Sequence, residues 1–385
     1  MSNPRAVVLL LMLARTIQIK VLGSGRDDRS ALIRFGGIEA LLMAAAGGIG
    51  VALTQTPYPR VEIEYPTQAE TLLGQAFPPP PTFANVAFGW HTEPLWLGLA
   101  ALGIGLYVAG VIRLNRRGDR WPVLRTVSWI TGWLTVVWAT NAGISVYAMV
   151  AMSWHMAAHM ALSMIAPILL AMSAPLSLAL RALPSTHGTR RGPREWIVWG
   201  MHTWLARFIT HPLYVLFIFT VGLYGLYYTP LFSWLMGSHV GHLAMQVHFL
   251  LSGYLFAWVV IQTDPLPRSM PPWGRLMLAI VAMLLHAFFA VPIMMSATAF
   301  GAAWYSQVQP PWLTDPVADS QNAGAIAWGI AEIPTFILVV AVAVQWARSD
   351  EREARRHDRQ AERDHDADLA AYNERLRRMH ERSQR

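Results

Sequence analysis

His155 and His159 stand four residues apart in the apolar stretch SWHMAAHMALSMIAPILLAMSAPLSLALRALP (153–184), so on a helix both imidazoles leave from one side. Met156, Met160 and Met164 recur at the same interval beside them. A second stretch, HVGHLAMQVHFLLSGYLF (239–256), adds His239, His242 and His248, with Met245 between the last two. His286 lies in MLLHAFFAVP (283–292) and Glu332 in WGIAEIPTF (328–336). Imidazole nitrogen with thioether sulfur is a ligand set that suits Cu(I). Facing histidines in a helix bundle also suit axial haem ligation, and a His/Glu chain suits a proton or metal transporter. The HxxxH spacing lacks the glutamate that would make it a zinc-protease motif. Against all of these stands a plain alternative: membrane histidines bond between helices, and methionine rows fill cores. Residue types alone leave both open.

The elements that must position these groups are membrane helices. The chain has 385 residues, 54% hydrophobic and only 14% charged, against about 25% charged in ordinary soluble domains. Charge is confined to short loops and the C-terminal tail, which leaves apolar runs near the ~20 residues that cross a bilayer. The expected fold class is an all-α polytopic integral membrane helix bundle, with a seven-span core plus one or two N-terminal spans. Spans are expected near 35–53, 94–113, 122–141, 153–174, 209–229, 240–261, 274–296 and 324–346. Residues 6–22 form a shorter apolar run that carries Arg15 and Lys20 and lacks a cleavage site. The expected divisions are an N-terminal membrane segment (1–60), an external Pro-rich linker (61–93), the seven-span domain (94–346) and a charged tail (347–385). With no cysteine, thiolate metal sites and disulfides are excluded.

Basic residues set the orientation. RLNRRGDR (113–120), RALPSTHGTRRGPRE (181–195), DPLPRSMPPWGR (264–275) and the Arg-rich tail follow alternate spans, and the intervening loops are almost free of Arg and Lys. The positive-inside rule then places the tail in the cytoplasm and the Pro-rich segment outside. The net charge of +7 is accounted for by this topology, with no nucleic-acid partner implied.

At ~1.5 Å per helical residue, His159 lies roughly 9 Å below the outer end of its span, His248 and Glu332 roughly 13 Å, and His286 about 15 Å. His155 and His242 come nearer the surface. His239 and His248 are nine residues apart, roughly 180° around an α-helix; His242 lies between those directions, so His242 is paired with His248 and His239 is left at the rim.

Four segments together resemble the CtaG-type cytochrome c oxidase assembly factors: 153–184, HVGHLAMQVHFLLSGYLFAWVVIQTDPLPR (239–268), LHAFFAVPIM (285–294) and DSQNAGAIAWGIAEIPTF (319–336). The resemblance implies seven spans and a role in maturing haem-copper oxidase of the respiratory chain in a bacterial plasma membrane; such a role requires no bond-making chemistry, so no enzyme is expected. Copper is the implied cargo, oxidase subunits the implied partners, and a periplasmic copper donor the implied source. It carries over His155, His159, His242, His248, His286, Asp319 and Glu332 as the metal set. RFGGIEALLMAAAGGIGVALTQTPYP (34–59) further resembles the last span of a copper-resistance D domain, of which residues 6–22 look like the remnant of the preceding span.

Overall fold

The computed structural model describes residue 37 and residues 67–185, 191–363 and 367–383. The N-terminal membrane segment expected over 1–60 lies outside the described residues. Everything described from Thr67 onward belongs to one compact unit, which is helical throughout apart from an isolated bridge between Trp90 and Ala142.

Helices occupy all seven expected span positions. They are α1 (Pro94–Arg116), α2 (Val123–Asn141), a broken third span made of α3 (Met152–Met160), α4 (Ala166–Met172) and α5 (Pro175–Ala182), then α6 (Pro212–Tyr227), α7 (His239–Ile261), α8 (Pro272–Met294) and α9 (Pro316–Arg363). Five are long and apolar enough to cross a membrane: α1, the stretch Met152–Ala182, α7, α8 and Pro316–Ala347 of α9. The other two are α2, of 19 residues, and α6, of 16. The protein is a multi-pass membrane helix bundle. Past its span α9 continues as a helix into the charged tail, and a further helix covers Ala367–Ser383.

Proline and glycine explain the shape of the third span. Between α3 and α4 the backbone widens into a π-helical turn at Ala161–Ile165. Pro167 has no N–H, so the Ser163 carbonyl loses its usual helical donor. Helix α7 packs against this opened turn at Gly253, where a Cβ would come within 2.1 Å of the Ser163 carbonyl oxygen. Only glycine admits so close an approach.

Aspartates hold the same span at two points. Asp264 accepts hydrogen bonds from the Leu176 and Ser177 amides (2.9 and 2.7 Å), capping α5. Asp319, in the first turn of α9, accepts from the Met152 amide at 2.7 Å, from the Ser153 amide at 3.3 Å and from the Ser153 hydroxyl, capping α3. Each orphan amide of a helix start that finds a carboxylate is satisfied electrostatically as well as by hydrogen bonding.

The described part of the Pro-rich segment, from Thr67, is structured. It holds two short helices, Gln68–Leu73 and Phe83–Phe88, and is tied down through its carbonyls. Trp312 Nε1 donates to the Pro78 carbonyl at 2.7 Å and the Tyr147 hydroxyl to Pro79 at 2.8 Å. Val86 is buried with Ile144 and Tyr147.

Candidate metal centre

His155 and His159 lie one turn apart on α3, and their rings stack with centroids 4.1 Å apart and planes 18° from parallel. His242 comes from the first turns of α7, its ring 5.7 Å from His155 and 5.8 Å from His159. One ring nitrogen from each can be chosen so that all three lie within 4.8 Å of one another. Among the described residues this is the one group of three or more histidines and carboxylates close enough to hold an ion.

Its walls are aromatic. Phe232 and Tyr227 meet the His155 ring edge to face at 5.1 and 6.0 Å, and Phe249 meets His159 at 4.7 Å. His155 and His159 are fully buried. Both nitrogens of His159, Nε2 of His242 and at least one nitrogen of His155 have no hydrogen-bond partner. The Ala148 carbonyl, which accepts the Tyr305 hydroxyl at 3.1 Å, also lies within reach of one His155 nitrogen. A buried polar group left unpaired costs about 1–3 kcal/mol, so four such nitrogens in one chamber are a costly way to fill a core. Neutral imidazoles with free lone pairs converging on one point are what a soft or borderline cation requires. Three ligands at ~2.0 Å around one ion stand about 3.5 Å apart. Small ring rotations would therefore close this group on a metal.

The other expected residues stand elsewhere. His248 is turned toward α6, where a Cβ on Gly222 would come within 2.0 Å of its Nε2. Phe249 touches both the His248 and His159 rings (5.6 and 4.7 Å). His286 spans from α8 to the Ala327 carbonyl of α9 through Nε2, at 3.2 Å. Glu332 is exposed on α9 and receives the Trp328 indole N–H of its own helix. Asp319 acts on α3 as the cap described above, one turn before His155. The common depth expected for His159, His248, His286 and Glu332 thus does not become a common centre, because these side chains leave their helices in different directions.

Three positioning residues escaped the sequence reading. Asn141 fixes the segment that leads into α1: its carbonyl accepts from the His91 amide (2.7 Å) and its Oδ1 from the Glu93 amide (2.6 Å). Gln246, one turn after His242, accepts from Trp96 Nε1 at 2.7 Å and so ties α7 to α1. Asp264 caps α5. A polar residue inside an apolar run was the available signal for Asn141 and Gln246.

The cytochrome c oxidase caa3 assembly factor family model matches residues 105–349. An uncharacterized protein of Mycobacterium bovis and one of Mycobacterium tuberculosis are each 40% identical over 343 residues, covering 88% of this chain and 52% of theirs. An uncharacterized protein of Mycobacterium leprae is 40% identical over 316 residues, 81% of this chain and 48% of its own. The chain spans about half the length of these relatives. No solved structure matches it. With the family model covering well over half of its length, the chain belongs to the caa3-type cytochrome c oxidase assembly factors.

Proposed function

We propose that this protein takes up copper at His155, His159 and His242 and assists its insertion into a haem-copper cytochrome c oxidase in the same membrane. The observation that carries the reading is the convergence of three imidazoles from two spans, with most of their buried nitrogens unpartnered. Copper is cargo here. The imidazoles bind it as neutral ligands, the aromatic walls exclude water, and Asp319 holds the start of α3 so that the two histidines keep their register. Release follows docking on an oxidase subunit, and no bond-making step is required, so the protein is not an enzyme.

Scale favours an ion over a macrocycle. The cavity that reaches His242 has a volume of about 230 Å³, below the ~300–1,000 Å³ usual for organic ligands. The stacked pair His155 and His159 also leaves no gap for a porphyrin between them.

Metal analysis of the detergent-purified full chain after Cu(I) loading tests this. Wild type is expected to retain copper, His155→Ala, His159→Ala and His242→Ala to lose most of it, and His286→Ala to keep it. Equal copper in all five would end the assignment.

A further inference from the structure

The histidine cluster does not open directly to solvent, yet one of its members lines a cavity that does. His242 forms part of the floor of a cavity of about 230 Å³ whose rim carries His91, Glu93 and His239. Met149 and Met236 line it as well, Met236 fully buried. The cavity lies at the end of the bundle where α1 and α7 begin and α2 ends, opposite the Arg113 and Arg116 end of α1.

Glu93 is the one carboxylate of the lining, and no Lys or Arg of the described residues shares it. Its side chain is only 14% exposed, and its backbone is held by Asn141, so the charge is fixed in place. His239 Nε2 stands 3.5 Å from Glu93 Oε2 while its ring remains 70% exposed. That separation matches the roughly 3.5 Å between neighbouring ligands on an ion with bonds of about 2.0–2.2 Å. An exposed imidazole beside a fixed carboxylate can take up a metal ion without moving the backbone. His239 and His242 lie three residues apart on α7, and so on adjacent parts of its face.

We propose that this cavity is the loading route of the cluster. His239 and Glu93 form a transient capture site for Cu(I) at its mouth, the Met149 and Met236 thioethers line its throat, and His242 passes the ion to His155 and His159. The inference rests on the copper-binding reading above and adds a route and two residues to it. Glu93 concentrates the cation, His239 supplies the first nitrogen, and a route lined by thioether and imidazole favours a soft monovalent ion over hard divalent cations. A capture site must be weaker than its destination. One exposed imidazole with one carboxylate meets that condition beside three buried imidazoles.

The test is stopped-flow loading of the purified full chain with Cu(I) supplied as a weak chromophoric chelate, comparing wild type with Glu93→Gln and His239→Gln. Both variants keep the local shape, and Glu93→Gln leaves the Asn141 bond to the backbone intact. Each is expected to load about tenfold more slowly, the scale on which a charged cleft raises association rates, and to reach the same final copper content. The wild-type rate is expected to fall with added salt, and the Glu93→Gln rate to fall less. Unchanged rates with full loading would overturn the route and leave the cluster standing. A lowered final copper content in either variant would make that residue part of the resting site and overturn its transient role. A wild type that takes up no Cu(I) would overturn both readings.

Discussion

The carboxylate of Asp319 and the amide of Met152 are 167 residues apart in sequence and 2.7 Å apart in space. Through that bond the first turn of α9 closes the first turn of α3. His155 lies three residues beyond the capped amide, so the cap sets where the histidine stripe starts. A helix cap of this kind is worth about 0.5–2 kcal/mol, and more where the acceptor is charged. Asp319→Ala is therefore expected to lower the thermal unfolding midpoint of the detergent-purified protein and to weaken copper retention. Asp319→Asn keeps one acceptor and should fall between it and wild type. Copper retention equal to wild type in Asp319→Ala, at whatever midpoint, would show that the cap does not position the site.

Counting along the helices put His159, His248, His286 and Glu332 on one level, yet the rings that meet are those of His155, His159 and His242. Rise per residue is nearly constant in a helix, so counting from a span end places an imidazole to within a turn. Direction depends on which face the neighbouring helices cover. His242 and His248 are six residues apart, about 120° around α7, and the bundle uses the first direction for α3 and the second for α6. His155 and His159 share a face by spacing alone, so that pair was readable. The all-α membrane class and the span positions followed from apolar run lengths. The π-turn did not, since the apolar pattern runs through it unbroken and only Pro167 marks the place.

That turn makes a second prediction. At Gly253 a methyl group would press on the backbone oxygen of Ser163, which has no side-chain freedom with which to give way. Overpacking of this sort costs about 1–3 kcal/mol, and here it would push α7, with His242, away from α3. Gly253→Ala should lose both stability and copper. Gly105→Ala, with open space around it, should be neutral or slightly stabilising, because alanine is favoured over glycine inside helices by about 0.5–1 kcal/mol. Thermal midpoints of the two variants side by side distinguish this from a general intolerance of the bundle.

His286 offers a contrast with the three clustered histidines. Its Nε2 reaches the Ala327 carbonyl and joins α8 to α9. Interhelical hydrogen bonds in membranes contribute about 0.6 kcal/mol on average and up to about 1.7. His286→Leu should lose a stability of that order, and His286→Gln, which can still donate, should recover part of it. Both should retain copper at the wild-type level. A loss of copper in His286→Gln at wild-type stability would bring His286 into the metal set.

Orientation is the remaining link between the cavity and its cargo, and the absence of native cysteine makes it directly measurable. Arg113, Arg116 and Arg117 stand at the end of α1, Arg181 near the end of α5, and Arg268 and Arg275 where α8 begins. By the positive-inside rule, basic residues collected on alternate connections are expected on the cytoplasmic side and the Glu93 and His239 end outside. Single cysteines should follow that division. Ser306→Cys, exposed near the same end, should react with a membrane-impermeant maleimide in intact spheroplasts. Arg120→Cys and Arg382→Cys, both exposed, should react only after lysis. The inverse pattern would open the cavity to the cytosol and overturn the proposed entry past Glu93 from outside.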